Sequence, residues 1–385
     1  MQPVRLRAPR CGSVLSSARN LRCVHLLSDT HDAGAENQCR YLLSGLREGG
    51  EVDAELAYFG VGRGHAQFGR IGVPMLHVPR RGRFRFDAYG RARRLRAAYA
   101  GRAPDVLHTW MLEGNVIGLL AARAWPDTRV VITQRGSWNE LDYPGLVRLQ
   151  RLLLGRADHA ISNSRGGAEM LASIGLERER ISVIPNGIPA DRVAVEEDPG
   201  SVRDRLGWAD REVIAWVGRV DDDETVSQKD FAGLLASFAE LRRRRPRALL
   251  ALIGPTPAAV AARGFAVPDG AQALGWQAQP AELLGAADAL AISSRIEGNS
   301  NVAGEALLAG VPVVTTDCGD HCKAVRRSGG RVVPVGDPGA LAVALDELLD
   351  DPPAREAVRE SASRELSVGR MVSETVDVYR RLVAG

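Results

Sequence analysis

Residues 293–317 read SSRIEGNSNVAGEALLAGVPVVTTD and follow the apolar run ALAI at 289–292. An apolar strand, a loop of glycine and asparagines, a helix beginning near Asn301 and a second apolar strand make one strand–helix–strand unit of a parallel sheet. Unpaired N–H groups at the start of such a helix form an anion site suited to a diphosphate. Glu297 and Glu305, one before the helix and one inside it, can accept hydrogen bonds from vicinal hydroxyls of a sugar or ribose. The same residues are also compatible with a capping asparagine and two solvated glutamates.

Upstream, AWVGRVDDDETVSQKDF (215–231) places Gly218 and Arg219 at the end of a strand and Lys229 at the start of the next helix. Two fixed cations at the ends of one loop, facing a helix start, favour phosphate binding. Lys229 is also one of only two lysines in the chain, the other being Lys323. Asp221, Asp222 and Asp223 in this loop contain a DxD triplet, read here as a solvated acidic loop rather than a metal site.

The strand and helix alternation extends over most of the 385 residues. RCVHLLS, ELAYFGV, MLHVP, PDVLHTW, RVVITQ, HAISNS and ISVIPNG read as strands of a first series. EVIAWVGRV, ALLALIGP, AQALGW, ALAISS, PVVTTD and GRVVPVG read as a second. Val and Ile runs without strict alternation mark parallel strands covered on both faces. The expected fold is therefore α/β: two doubly wound, Rossmann-like domains facing across a cleft. Residues 1–20 read as a basic leader, 21–190 as the first domain and 191–367 as the second. An amphipathic helix at 368–385 is expected to return to the first domain.

Charge divides along the same line. Through Ala190 there are 27 Arg against 17 acids, whereas from Asp191 onward 23 basic residues face 30 acids. Nine arginines against one aspartate between Arg80 and Arg102 suggest either a solvated helix face or weak contact with an anionic membrane surface. Nucleic acid is not expected, because no binding module accompanies the charge. Five scattered cysteines without a CxxC pair give neither a disulfide framework nor a zinc ribbon, and Cys318, His321 and Cys322 lack a fourth ligand. No run is apolar for the eighteen or so residues of a transmembrane helix. A cytoplasmic protein, at most peripheral at the membrane, is the expectation.

VGRV (217–220), KDF (229–231), LIGP (252–255), LGW (274–276) and EGNSNVAGEALLAGVPVVTTDCGD (297–320) together carry a resemblance. With GRVVPVGDPGALA (330–342), and SNS (162–164) followed by VIPNGI (183–188), the chain resembles the retaining glycosyltransferases of family 4, which have the two-domain GT-B architecture. The likeness covers nearly all of residues 21–385, and its strongest motif is the Glu-x7-Glu pair Glu297 and Glu305.

The resemblance implies a metal-independent transfer of a sugar from a nucleoside diphosphate sugar, UDP ahead of GDP, to an acceptor hydroxyl. No cofactor is implied. Glu305 would hold the ribose, Glu297 a hydroxyl of the transferred sugar, and Arg219 and Lys229 the departing diphosphate. Gly34, Gly218, Gly275, Trp276, Asn299, Asn301 and Val302 complete the implied donor set, with Gly34 in the loop AGAEN and Gly275 and Trp276 near the nucleobase. In the strand DVLHTW (105–110) the family often has a second histidine where Trp110 stands. His108 is thus either a catalytic residue at the cleft or a core histidine, with Trp110, Glu113 and Arg135 as acceptor-binding candidates. The competing functions are another GT-B enzyme, such as a sugar-nucleotide epimerase or phosphorylase, and a catalytically silent sugar-nucleotide-binding subunit.

Overall fold

The structure, a computed structural model, describes residues 20–79, 87–135, 144–220, 228–277 and 280–384. The expected leader therefore lies, apart from residue 20, outside the described residues.

Among the described residues, thirteen strands form two parallel sheets. The first contains β1 (Leu21–Asp29), β2 (Val52–Gly60), β3 (Met75–His77), β4 (Val106–Trp110), β5 (Arg129–Gln134), β6 (His159–Ser162) and β7 (Ile181–Val183), in the order β3-β2-β1-β4-β5-β6-β7. The second contains β8 (Glu212–Val217), β9 (Ala248–Ile253), β10 (Ala271–Gly275), β11 (Ala289–Ile292), β12 (Val313–Thr316) and β13 (Arg331–Val333), in the order β10-β9-β8-β11-β12-β13. This is the GT-B arrangement of two doubly wound domains.

Burial on both faces explains the apolar runs. All six residues of β9, ALLALI, are buried. Val24 and Leu26 of β1 join one core, while Cys23 and Leu27, pointing oppositely, join the other. In β8 the same alternation sends Val213 and Ala215 to one side and Ile214 and Trp216 to the other.

Helix boundaries follow local chemistry. The helix Ala88–Ala98, in the arginine-rich stretch, is started by Asp87, whose side chain accepts the Gly90 N–H. The polar link after residue 194 contains a further helix, Pro199–Leu206, capped by Asp198, opened by its proline and ended by Gly207 in the left-handed conformation.

The chain crosses from the first domain to the second near Gly187 and returns near Ser367. The two crossings touch: the Ile188 N–H donates to the Leu366 carbonyl at 2.8 Å. The last helix, Val368–Ala384, then adds Met371, Val376, Val378 and Tyr379 to the core beneath the first sheet. No helix among the described residues is long and apolar enough to cross a membrane.

In each sheet the strand order reverses direction once, at β1/β4 and at β8/β11. Crevices beyond the carboxyl ends of strands at such points are where open α/β sheets bind ligands.

Candidate functional site

The crevice beyond β8 and β11 holds most of the candidate residues. Gly218 follows β8, and its neighbours at the ends of β9 and β10 are also glycines. Gly254 takes φ +123°, and a Cβ there would lie 2.1 Å from the Gly218 carbonyl oxygen. Gly275, at φ +72°, accepts the Gly254 N–H at 2.9 Å. The backbone is thus bare where these three strands end. Trp276 follows directly, with 71% of its surface exposed. Arg219 is exposed and, among the described residues, has no hydrogen bond or ion pair. Asp221–Asp223 lie outside the described residues.

Lys229 is held at the mouth of the crevice from two sides. Its carbonyl accepts a hydrogen bond from Ser293 Oγ at 2.7 Å, and its Nζ lies 2.5 Å from Glu297 Oε1. The next residue, Asp230, is one of two non-glycine residues among those described with positive φ, at +45°. It caps the helix Phe231–Arg244 by accepting the Gly233 N–H and pairs with Arg295 at 3.2 Å. Backbone strain of this kind persists where surrounding contacts fix it, often at functional sites. Glu297 also accepts from Ser294 Oγ at 2.9 Å, and its own N–H donates to the Cys318 carbonyl at 2.7 Å.

The helix Asn301–Leu308 starts within this loop, with Ser300 as its cap. Glu305, one turn in, is 8% exposed. Its Oε1 lies 3.1 Å from Arg192 Nε, a residue of the short helix Ala190–Val193 just after the domain crossing. Burial raises the Glu305 carboxyl above the ordinary carboxylate range; Arg192 opposes the shift by charge and hydrogen bond, and Asp32 reinforces it. Beside this pair opens a cavity of about 420 Å³ shared by the domains, bordered by Asp32, Arg40 and Tyr41 of the first domain and by Asp191, Arg192 and Trp276.

The start of that helix also meets the first domain. Gly34 opens the helix Gly34–Gly49, and a Cβ on it would lie 3.4 Å from Asn301 Nδ2. Asn301 Oδ1 accepts from Asn186 Nδ2 at 2.7 Å and from Gln38 Nε2 at 3.3 Å. Gln38 also holds Gly187, donating to its carbonyl at 2.9 Å and accepting its N–H at 3.0 Å. The Asn299 carbonyl accepts from Asn186 as well, at 3.0 Å. Gly34, Asn299, Asn301, Glu297, Glu305 and Lys229 are therefore linked around one helix start. Val302 packs instead against the core of the second sheet.

The structure decides between the two readings of His108 and buries two of the three acceptor candidates, Trp110 and Arg135. His108 is fully buried: Nδ1 is 2.5 Å from the Tyr379 hydroxyl, and Nε2 bonds to Thr133 Oγ1. Burial, and then the neighbouring His25 and Arg135, drive its pKa well below the usual histidine value. Trp110 is fully buried too, stacked on His108 and donating its indole N–H to His25 Nδ1 at 3.2 Å. Both face the core closed by the C-terminal helix, away from solvent.

Arg135 is buried over the Trp110 ring and donates to Asn186 Oδ1 at 2.6 Å. It braces the domain crossing rather than lining open space. Glu113, partly exposed, pairs with Arg91 at 2.5 Å. In the arginine-rich stretch, four of the five described arginines are engaged and Arg93 is exposed. Arg80–Arg85 lie outside the described residues, while Arg91, Arg94, Arg96 and Arg102 are engaged by Glu113, Asp87, backbone carbonyls and Glu55 respectively. Arg192, Ser294, Gln38 and Asn186 escaped the sequence reading, although Ser294 and Asn186 lay in quoted motifs.

Two facing doubly wound domains, with paired carboxylates and cations around one helix start, define a GT-B glycosyltransferase. Residues 33–192 match the family profile "Glycosyltransferase Family 4" and residues 211–351 match "Glycosyl transferases group 1". The chain belongs to the family 4 glycosyltransferases. It is 28% identical over 326 residues to a D-inositol 3-phosphate glycosyltransferase of Kineococcus radiotolerans, covering 74% of each chain. It is 30% identical to a GDP-mannose-dependent alpha-(1-6)-phosphatidylinositol monomannoside mannosyltransferase of Mycolicibacterium smegmatis, over 62% of this chain and 65% of the relative. Among solved structures, Anabaena HepE in complex with UDP-glucose superposes with a TM-score of 0.78 at 18% identity, covering 94% of this chain and 100% of that one.

Proposed function

We propose that the protein is a retaining, metal-independent glycosyltransferase that moves a hexosyl or related sugar from a nucleoside diphosphate sugar, UDP ahead of GDP, to an acceptor hydroxyl. The observation that carries the reading is the 2.5 Å contact of Lys229 with Glu297, at the start of the helix that carries Glu305. A sugar nucleotide needs a carboxylate for its sugar, a cation for its diphosphate next to it, and a second carboxylate for its ribose. Glu297, Lys229 with Arg219, and Glu305 supply these in that order. Gly218, Gly275 and Trp276 border the nucleobase, and Gly34, Asn299 and Asn301 border the diphosphate.

In the reaction the bond from C1 of the sugar to the diphosphate oxygen breaks while C1 bonds to the acceptor oxygen on the same face. The acceptor proton passes to the departing phosphate oxygen. Arg219, Lys229 and the helix-start N–H groups stabilise the charge that develops there. No protein nucleophile is needed, and burial of His108 removes nothing from this scheme. Buried Trp110 likewise gives no support to the silent-subunit reading. The acceptor enters from the first-domain side of the cleft. The relatives named for inositol phosphate and for a phosphatidylinositol mannoside support an acceptor of polyol or sugar type. Cytoplasmic placement, where nucleotide sugars are available, goes with this reading.

The test is transfer, or slow donor hydrolysis, from a panel of UDP- and GDP-sugars after exhaustive EDTA treatment, with the anomer of the product read by NMR. Undiminished turnover and a retained anomer are expected. Inversion, or a strict need for Mg2+ or Mn2+, contradicts the mechanism.

A further inference from the structure

Glu305 is occupied in this structure by a residue that the reaction scheme does not use. Arg192 sits 3.1 Å from it, 113 positions away in sequence, on the four-residue helix that follows the domain crossing. The contact is between an almost fully buried carboxylate and a guanidinium whose side chain is 28% exposed at the cavity edge. A buried carboxylate needs a partner, because removing one partner of such a pair leaves an uncompensated charge. A guanidinium offers paired N–H donors to a carboxylate, and a vicinal diol offers two O–H donors to the same oxygens.

We propose that Arg192 is a positioning residue that holds Glu305 in place of the donor's ribose diol, and that donor binding displaces it. The inference rests on Glu305 being the ribose carboxylate. The cavity beside the pair supplies the space into which Arg192 can turn, and Asp32 and Asp191 border it. Asp32 belongs to the first-domain loop that ends at Gly34, and its charge acts on Arg192 and on Glu305. Turned to Asp32, Arg192 bridges the two domains across the occupied site. The residue thereby couples recognition of the ribose to closure of the cleft, and it makes the diol, rather than nucleotide charge alone, the condition for that closure.

The experiment is calorimetric titration of UDP and of 2′,3′-dideoxy-UDP into wild-type protein, Arg192→Met and Arg192→Lys. GDP and its dideoxy analogue replace them if wild type binds GDP more tightly. The dideoxy nucleotide cannot compete for Glu305, so its affinity should be the same in wild type and Arg192→Met. The diol-bearing nucleotide should bind about tenfold more tightly to Arg192→Met, because the buried ion pair that wild type must break outweighs the contact regained at exposed Asp32, and Arg192→Lys should restore most of the wild-type value. Equal weakening of both nucleotides in Arg192→Met would make Arg192 an ordinary charge contact and overturn the proposal. No change in either would overturn it as well. If wild type itself does not distinguish the two nucleotides, the ribose assignment of Glu305 fails first, and the proposal with it. Circular dichroism melts of both variants show whether the hinge remains folded.

Discussion

The two sheets reverse strand order in the same way, yet the crevices at their turning points are put to opposite uses. Beyond β8 and β11 the chain leaves three bare glycine strand ends, an exposed arginine, a strained Asp230 that sets Lys229, and two carboxylates. At β4 the inward side chains instead pack on one another: His25, His108 and Trp110 fill the region, and Tyr379 from the far end of the chain closes it. The same topology thus yields one open polar site and one sealed polar core, and the difference lies in what covers them. The C-terminal helix, returning after 367, closes the polar core beneath the first sheet and leaves the site at the second sheet open.

The comparison is most strongly tested by charge removal at the open site. Arg219→Ala or Lys229→Ala should each remove about 2–4 kcal/mol of transition-state stabilisation, roughly a 30- to 1,000-fold loss in kcat, with thermal unfolding nearly unchanged. Full turnover in both variants with an accepted donor would detach the cations from the chemistry.

At the sealed site the same kind of change should act on folding. His108→Ala leaves the Tyr379 hydroxyl and Thr133 without their partner, so a loss of about 1–3 kcal/mol in denaturant unfolding is expected, with nucleotide affinity retained. A variant that stays fully stable but loses transfer would return His108 to the catalytic role read from its strand.

The sealed core also sets a pH dependence. Burial lowers the His25 pKa to about 3, and burial followed by His25 and Arg135 lowers that of His108. Histidines that are harder to protonate when folded bind fewer protons than in the unfolded chain, so their contribution is complete above the unfolded value near 6.5. It is lost as pH falls below that value toward the folded one. Stability should drop on the order of 1–2 kcal/mol per such histidine between pH 6.5 and 5. Unfolding curves of His25→Gln across that range should be flatter; an equal slope would place the effect elsewhere.

The smallest effect belongs to the rim of the open site. Trp276→Ala, at a largely exposed side chain, should cost about 0.5–1.5 kcal/mol of nucleotide affinity by calorimetry and nothing in folding. Unchanged affinity would move the nucleobase away from the end of β10.

What could be read from the sequence follows from the same physics. Strands covered on both faces show as unbroken apolar runs, so ALLALI and RVVITQ declared themselves, and each of the thirteen observed strands overlaps a segment expected to be extended, with β2 starting three residues earlier. The helix Arg165–Ser173, RGGAEMLAS, did not: it is short, carries two glycines in its first turn, and depends on the side chain of Ser164 accepting the Gly167 N–H. Glu297, Lys229 and the helix start were legible because they lie in two local motifs. His108 was ambiguous because period-two alternation gives the side of a sheet but not what covers that side. Here the cover is Tyr379, 271 positions away. Arg192 was invisible for a similar reason: nothing in PADRV marks an arginine that meets a carboxylate only when the second domain is in place.

The central claim is that Glu305 serves the nucleotide and Glu297 the transferred sugar. Calorimetric titration of the free nucleoside diphosphate into Glu305→Gln and Glu297→Gln tests it most directly. The account predicts clearly weakened binding in Glu305→Gln and near wild-type binding in Glu297→Gln. Equal losses in the two variants, or a loss confined to Glu297→Gln, would contradict it.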